Sequence, residues 1–172
     1  GTESPSRDDP FLAETENCNL TYAAITARYF NADYNLVSHS GQGVARNYDS
    51  FGPGYYMPDR YRQVFDGDKE AIWKPEMGAY TPDMVVIYLG TNDFSTGQQP
   101  HEASFRNNYT RMLKSIKENY GENIPVLCMA SPANPYLYDY LRSIVTAGGF
   151  KNVAYMAVSA SAYNENDDLG AS

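Results

Sequence analysis

Two polar motifs in this chain could stabilise a negatively charged oxygen. Gly90-Thr91-Asn92-Asp93 directly follows the hydrophobic run "VVIYL", and Ser38-His39-Ser40-Gly41-Gln42-Gly43 closes another apolar segment. An Asn side-chain amide and a glycine N–H that converge on one point form an oxyanion hole, in which each donor stabilises the tetrahedral intermediate of acyl transfer by roughly 3 kcal/mol. Each motif alone is also typical of an ordinary turn. Their position after successive strands favours the catalytic interpretation.

The elements that would position these motifs follow from hydrophobic patterning. Four near-continuous apolar runs predict strands that are covered on both faces in a parallel sheet: residues 34–40, 84–90, 125–131 and 153–158. Apolar residues at spacings of three and four predict helices over residues 20–30, 105–116 and 137–145. This alternation predicts an α/β fold, a three-layer α/β/α sandwich with a parallel sheet. In such folds ligands bind at the carboxyl ends of the strands.

Composition narrows the class of protein. A chain of 172 residues is enough for one domain. A formal net charge of −8 and a pI near 4.6 argue against a nucleic-acid partner. No apolar run approaches the roughly 20 residues of a membrane span. Two distant cysteines predict neither a disulfide framework nor a metal site. The connection over residues 45–83 is unusually long, which indicates a functional loop, and it contains a short helix near Met57.

Several blocks in order resemble a known family. "SHSGQGVARNYD", "YMPDRY", Trp73, "PDMVVIYLGTNDF" and "SFRNNYTRMLKSIK" resemble SGNH (GDSL-type) hydrolases, and most closely the catalytic domain of carbohydrate esterase family 2, whose members resemble acetyl-xylan esterases. The resemblance covers nearly all of residues 1–172 and implies a flavodoxin-like SGNH fold. It also implies a serine-type esterase, without metal or organic cofactor, that removes acetyl groups from polysaccharide outside the cell or in the periplasm. An additional N-terminal carbohydrate-interacting domain in the full protein is compatible with it.

The resemblance also implies roles for individual residues. Asn92 matches the side-chain oxyanion donor and Gly41 the backbone donor, with Gly43 as the alternative. Asp93 is expected to brace the loop. Four aromatic residues are expected to stack on a sugar ring, and the last of them equally matches a packing tryptophan: Tyr48, Tyr55, Tyr56 and Trp73.

The nucleophilic serine and the base histidine of the family match no position within residues 1–172. We therefore expect both of them, and the first strand of the fold, to lie outside a chain that is truncated at both ends. His39, beside two serines, is the internal alternative for the base, but neighbouring residues on a strand point to opposite faces. His101 is expected at the surface, and Asp167 and Asp168 either form an acidic loop or orient a downstream histidine.

Two other classes of function remain open from the sequence. One is a non-catalytic carbohydrate-binding module of SGNH type, which would bind glycans without releasing acetate. The other is a general SGNH lipase or thioesterase, which would need a long apolar groove. The tyrosines and polar turns of the long loop favour the carbohydrate esterase over the lipase.

Overall fold

The chain folds into two compact units, and the structure, a computed structural model, describes residues 3, 4, 6, 9, 10, 12–50, 52–77, 80–132 and 134–162. One unit comprises residues 1–38 together with 161–172, and the other comprises residues 39–160. The motifs from Gly41 to Asp93 all belong to the second unit. Within the described ranges, no helix is long and apolar enough to cross a membrane.

The first unit contains helix α1, Tyr22–Tyr29, which lies within the predicted helix over residues 20–30. The Thr21 side chain accepts a hydrogen bond from the Ala24 N–H and thereby caps the first turn. Arg28 donates to the Asn19 carbonyl at 2.8 Å, which ties the helix to the turn before it.

The second unit is built around a parallel sheet of three strands in the order β1 (Val85–Ile87), β2 (Val126–Ala130) and β3 (Val153–Ala157). Val85 pairs with Val126, which in turn pairs with Val153. Three of the four predicted strands, and with them the α/β fold class, are confirmed. The prediction of a strand at residues 34–40 is wrong, because this segment pairs with no strand in the described chain and an apolar run alone cannot satisfy backbone N–H and C=O groups.

Two long helices supply most of the core beside the sheet. Helix α2 is the single turn Met57–Arg60, α3 spans Glu102–Tyr120 and α4 spans Pro135–Gly148. Helix α3 is capped after Tyr120 by Gly121, which has a positive φ of 99°. Both long helices bury the predicted apolar stripes, and they pack against each other around Phe105, Tyr109, Met112, Ile116, Leu137, Leu141 and Ile144.

A buried lysine fixes the edge of the sheet where β2 and β3 begin. Lys117 is only 3% exposed, and its ammonium donates to the carbonyl oxygens of Glu122, Ile124 and Lys151, at 3.1, 2.6 and 2.5 Å. The last two residues lie just before β2 and β3, so one charge joins α3 to both strand entries. The Gly90–Asp93 motif lies at the opposite edge of the sheet, where the strands end.

Candidate active site

The Gly90–Asp93 motif follows β1, and its first position requires a glycine. Gly90 has a φ of 120°, and a Cβ placed on it would lie 2.7 Å from the Leu137 side chain of α4. The chain then enters a tight 3-10 turn, Asn92–Gly97. This close packing under Gly90 holds Asn92 at the carboxyl end of the strand.

Asn92 is joined to the glycine loop by its side chain. Its amide nitrogen donates to the Gln42 carbonyl at 2.9 Å, across 50 residues of sequence. An Asn amide carries two hydrogens, and the second has no partner among the residues that the structure describes. Asn92 is therefore tied to Gln42, the residue that follows the predicted backbone donor Gly41.

The two glycines of the loop differ in the use of their N–H groups. Gly43 donates its N–H to the Asn47 side chain at 3.1 Å, and a Cβ on Gly43 would lie 2.0 Å from the Arg46 carbonyl oxygen. Gly41 has a φ of 75°, and its carbonyl accepts from the Tyr48 N–H at 2.8 Å. Its own N–H has no partner in the described part of the chain. The geometry thus favours Gly41 as the backbone donor and gives Gly43 a packing role.

Asp93 braces the loop rather than facing a ligand. Its fully buried carboxylate accepts hydrogen bonds from the N–H groups of Val44, Ala45 and Arg46 at 2.8, 2.7 and 3.0 Å. Burial raises the pKa of Asp93 to about 6, although the backbone hydrogen bonds oppose the rise. The bracing role predicted for this residue is confirmed by these contacts.

Arg46 is a site residue that the sequence did not reveal. Its guanidinium is buried and donates to the carbonyl oxygens of Asp93 and Ser95, both at 3.0 Å, and to the Thr96 hydroxyl at 2.8 Å. The Asp93 carboxylate thus holds the backbone of residues 44–46 and the Arg46 guanidinium holds the turn at residues 92–97, an arrangement we call the Asp93–Arg46 interlock. Because these partners lie about 50 residues away, no local sequence signal could have identified Arg46.

A second set of contacts ties the loop to the start of α2. The Asn47 side chain donates to the Tyr55 carbonyl at 3.2 Å while accepting from Gly43, and the Met57 N–H donates to the Gly43 carbonyl at 2.9 Å. The loop that carries Gly41 is therefore held from two sides.

The four predicted sugar-stacking residues fall into different environments. Tyr48 is 59% exposed and lies beside Gly41, so its ring is free to meet a ligand. Tyr56 is half-buried and donates its hydroxyl to the Gly52 carbonyl at 3.2 Å. Trp73 packs on Tyr120 with ring centroids 5.3 Å apart, which matches the packing interpretation.

Tyr55 is engaged with protein groups. Its hydroxyl donates to the Asp59 carbonyl and accepts from Gln63, and its ring is approached by the Lys69 ammonium at 4.6 Å and the Arg60 guanidinium at 5.4 Å. These contacts suit a residue that stabilises the long loop. Of the four aromatic residues, Tyr48 alone is exposed and the other three are half-buried.

No hydrogen bond joins either histidine to a serine hydroxyl within the described residues. His39 directs Nδ1 at the Ser40 carbonyl oxygen, at 2.9 Å, and Nε2 at an Asp66 carboxylate oxygen, at 3.1 Å. His101 is exposed at the start of α3. The internal Ser–His alternative therefore gains no support, and Asp167 and Asp168 lie outside the described residues.

Other possible ligand sites lie away from these motifs. A cleft of about 460 Å³ lies between α2 and the outer face of α3, lined by Asp59, Tyr61, Arg62, Arg111 and Lys114 among others, and it includes neither Gly41 nor Asn92. In the described ranges, no three His, Cys, Asp or Glu side chains cluster closely enough to hold a metal ion.

The fold and the site together define the class. A parallel α/β sheet that presents an Asn amide after the end of one strand, tied to a glycine loop, is suited to binding an anionic oxygen at this edge. The chain belongs to the GDSL-like Lipase/Acylhydrolase family, whose model matches residues 6–169.

The relatives of this chain are carbohydrate esterases. It is 34% identical over 148 residues to the Cellulase/esterase CelE of Acetivibrio thermocellus, covering 85% of this chain and 17% of that protein. It is 28% identical over 171 residues to an Acetylxylan esterase / glucomannan deacetylase of Cellvibrio japonicus, covering 89% of this chain and 46% of that protein. The predicted resemblance to family 2 carbohydrate esterases is confirmed.

Solved structures agree with this assignment. A family two carbohydrate esterase from Clostridium thermocellum, in complex with cellohexaose, superposes with a TM-score of 0.73 at 32% identity, over 91% of this chain and 49% of that one. Another from Cellvibrio japonicus gives a TM-score of 0.72 at 23% identity, over 87% and 45%, and shows the shared fold. The chain spans about half the length of these relatives or less.

Proposed function

We propose that this chain supplies the oxyanion hole and the substrate loop of a serine-type carbohydrate O-acetyl esterase. One observation carries the proposal: the Asn92 amide is fixed on the carbonyl of Gln42, the residue after Gly41, and both the second amide hydrogen and the Gly41 N–H lack a partner among the described residues. Two preorganised donors at the carboxyl edge of a parallel sheet suit a developing oxyanion. The carbohydrate esterases among the relatives support the substrate class.

The proposed reaction is acyl transfer through a covalent intermediate. A serine hydroxyl attacks the acetyl carbonyl while a histidine accepts its proton, and the carbonyl oxygen becomes an oxyanion held by Gly41 and Asn92. The tetrahedral intermediate then collapses to an acetyl-serine, and the departing sugar oxygen takes the proton from the histidine. Water, activated by the same histidine, releases acetate and restores the serine. In this proposal the serine and the histidine come from outside residues 1–172.

The proposed substrate is an acetylated polysaccharide or oligosaccharide. Tyr48, exposed beside Gly41, provides a flat face for a sugar ring next to the acetyl carbonyl. We also infer a secreted or periplasmic protein, because such polymers lie outside the cytoplasm, and an additional carbohydrate-interacting domain, which the greater length of the relatives supports.

The test is acetate release by the full-length protein from acetylated xylan and from an aryl acetate. We expect Asn92→Ala to lower kcat by about 100- to 1,000-fold with little change in KM, because the amide acts mainly on the oxyanion. Asn119→Ala is the matched control, since Asn119 donates to the Ser115 carbonyl at 2.6 Å within α3. It should leave kcat unchanged.

Three results would contradict the proposal. Glycan binding without acetate release would identify a carbohydrate-binding module. A preference for long acyl esters would identify a lipase or thioesterase. Equal effects of Asn92→Ala and Asn119→Ala on kcat would show that Asn92 is not an oxyanion donor.

A further inference from the structure

The cleft between α2 and α3 is a polar concave surface apart from the glycine loop. Its volume of about 460 Å³ lies within the roughly 300 to 1,000 Å³ that is usual for small-molecule sites. One wall is the outward face of α3, on which four polar side chains recur at helical spacing: Arg111, Lys114, Ser115 and Glu118. The other wall is formed by α2 and the residues that follow it.

Two of the three cations in this cleft have no protein partner. Arg111 is already paired, since it donates to the Asp59 carboxylate at 2.6 Å and so joins α3 to α2. Arg62 donates its Nε to the Trp73 carbonyl at 3.1 Å, and its two terminal nitrogens form no hydrogen bond or ion pair among the described residues. Lys114 is exposed and forms none there either. In a chain of net charge −8, these two cations make the cleft a local site for a carboxylate.

The Arg62 guanidinium is held in place before any ligand arrives. Its Nε is fixed on the Trp73 carbonyl, and the Trp73 ring packs on Tyr120, at the end of α3, with ring centroids 5.3 Å apart. A guanidinium fixed in this way presents a planar pair of N–H groups, which matches the two oxygens of a carboxylate. Little side-chain entropy is then lost on binding.

The remaining groups of the cleft favour a sugar over a bare anion. The Glu118 carboxylate forms no hydrogen bond or ion pair in the described part of the chain, so it would repel an anion but can accept from a sugar hydroxyl. The hydroxyls of Tyr61 and Ser115 lie 2.6 Å apart and add further hydrogen-bonding groups. Pro58 and Ile72 provide apolar surface for the C–H groups of a sugar ring.

We propose that this cleft is a second carbohydrate site, which binds a sugar residue that carries a carboxylate, a uronic acid. Its carboxylate lies on Arg62 and Lys114, and its hydroxyls face Glu118. The inference rests on the proposed function in one respect, that the ligand is a substituent of the same polysaccharide. The cleft and the glycine loop share α2, because the Met57 N–H donates to the Gly43 carbonyl at 2.9 Å.

The test is an NMR titration of the full-length protein with a xylo-oligosaccharide that carries one glucuronic acid. The same oligosaccharide without the glucuronic acid, and inorganic phosphate, are titrated in parallel. We expect the glucuronate compound to shift the amide resonances of residues 111–118, and the other two to shift them little at the same concentration. Added salt should weaken the binding of the glucuronate compound, because it screens the charges.

Variants test the two cations separately. Lys114→Met removes an exposed charge, and Arg62→Lys keeps the charge but loses the planar pair of N–H groups. We expect each to raise the Kd of the glucuronate compound by about 3- to 10-fold, between the values for an exposed ion pair and for a charged hydrogen bond. The matched controls are Lys151→Met and Arg142→Lys, at exposed positions outside the cleft, and they should bind as the wild type does.

Several results would overturn the inference. Equal shifts with phosphate would identify a site for anions alone, and equal shifts with the uncharged oligosaccharide would show that the carboxylate is not recognised. Unshifted resonances at residues 111–118, or a Kd that Lys114→Met leaves unchanged, would also refute it. A protein that binds the glucuronate compound in the cleft but releases no acetate would refute the proposed function and leave this site standing.

Discussion

The buried carboxylate of Asp93 should make the stability of the protein depend on pH in an unusual direction. Its pKa is raised from 3.8 to about 6 in the folded chain. Between these values the folded state binds a proton that the unfolded state has lost, so the free energy of unfolding falls as pH rises. The stabilisation is fully present below pH 3.8 and is lost as pH passes through about 6.

The size of this effect follows from the shift. A rise of about two pKa units corresponds to about 3 kcal/mol, at 1.36 kcal/mol per unit. Asp93→Asn keeps the shape and one acceptor oxygen but cannot ionise. The difference in the free energy of unfolding, wild type minus Asp93→Asn, should therefore decrease by about 2 to 3 kcal/mol between pH 4 and pH 7.

The assay is urea unfolding of the full-length protein and the variant, followed by circular dichroism at pH 4, 5, 6 and 7. Taking the difference removes the contribution of groups that both proteins share. Asp83→Asn, at an exposed position just before β1, is the control and should change the free energy of unfolding by less than about 0.5 kcal/mol at each pH. A wild-type-minus-Asp93→Asn difference that is constant, or that grows with pH, would refute the reasoning, because it would show that the three backbone N–H groups outweigh burial.

Two substitutions test the packing that supports the site. Gly43→Ala places a Cβ 2.0 Å from the Arg46 carbonyl oxygen, so it should destabilise the protein by more than about 2 kcal/mol and lower kcat. The control Gly67→Ala, at a turn with nothing within 4 Å, should cost only about 1 kcal/mol of backbone strain. Equal losses of stability in thermal unfolding would contradict this prediction. Lys117→Met leaves three backbone carbonyls without their donor and should lower the free energy of unfolding by about 2 to 3 kcal/mol. The control Lys114→Met, at an exposed position on the same helix, should change the free energy of unfolding little. A loss below about 0.5 kcal/mol for Lys117→Met would show that these carbonyls find other donors.

Local patterns were sufficient for much of the fold. The apolar runs before Gly90 and after Ile124 predicted β1 and β2, because near-continuous apolar runs are typical of parallel strands, although Val86 on β1 is 47% exposed. The stripe from Phe105 to Ile116 predicted α3 through its spacing of three and four. The same reasoning placed Asn92 at a strand end, where the structure has it.

The failures share a physical cause, which is dependence on distant partners. The run at residues 34–40 has strand composition but no strand to pair with in the described chain, so composition misled. The role of Arg46 depends on partners 47 to 50 residues away. The contacts of Lys69 and Arg60 with the Tyr55 ring likewise could not be read from a local pattern, and the sugar-stacking role that the resemblance implies for Tyr55 stays a prediction.

The Asp93–Arg46 interlock has a consequence for the order in which the site can be built. The N–H groups at residues 44–46 donate to the Asp93 carboxylate, which lies 47 to 49 residues further along the chain. During synthesis, the loop that carries Gly41 therefore leaves the ribosome well before the residue that can fix its shape. Closing such a long segment has an entropic cost that only the finished β1 end can offset. Nascent chains shorter than about 93 residues of this numbering should hold the loop in many conformations, and the oxyanion donors would be among the last features of the unit to become ordered.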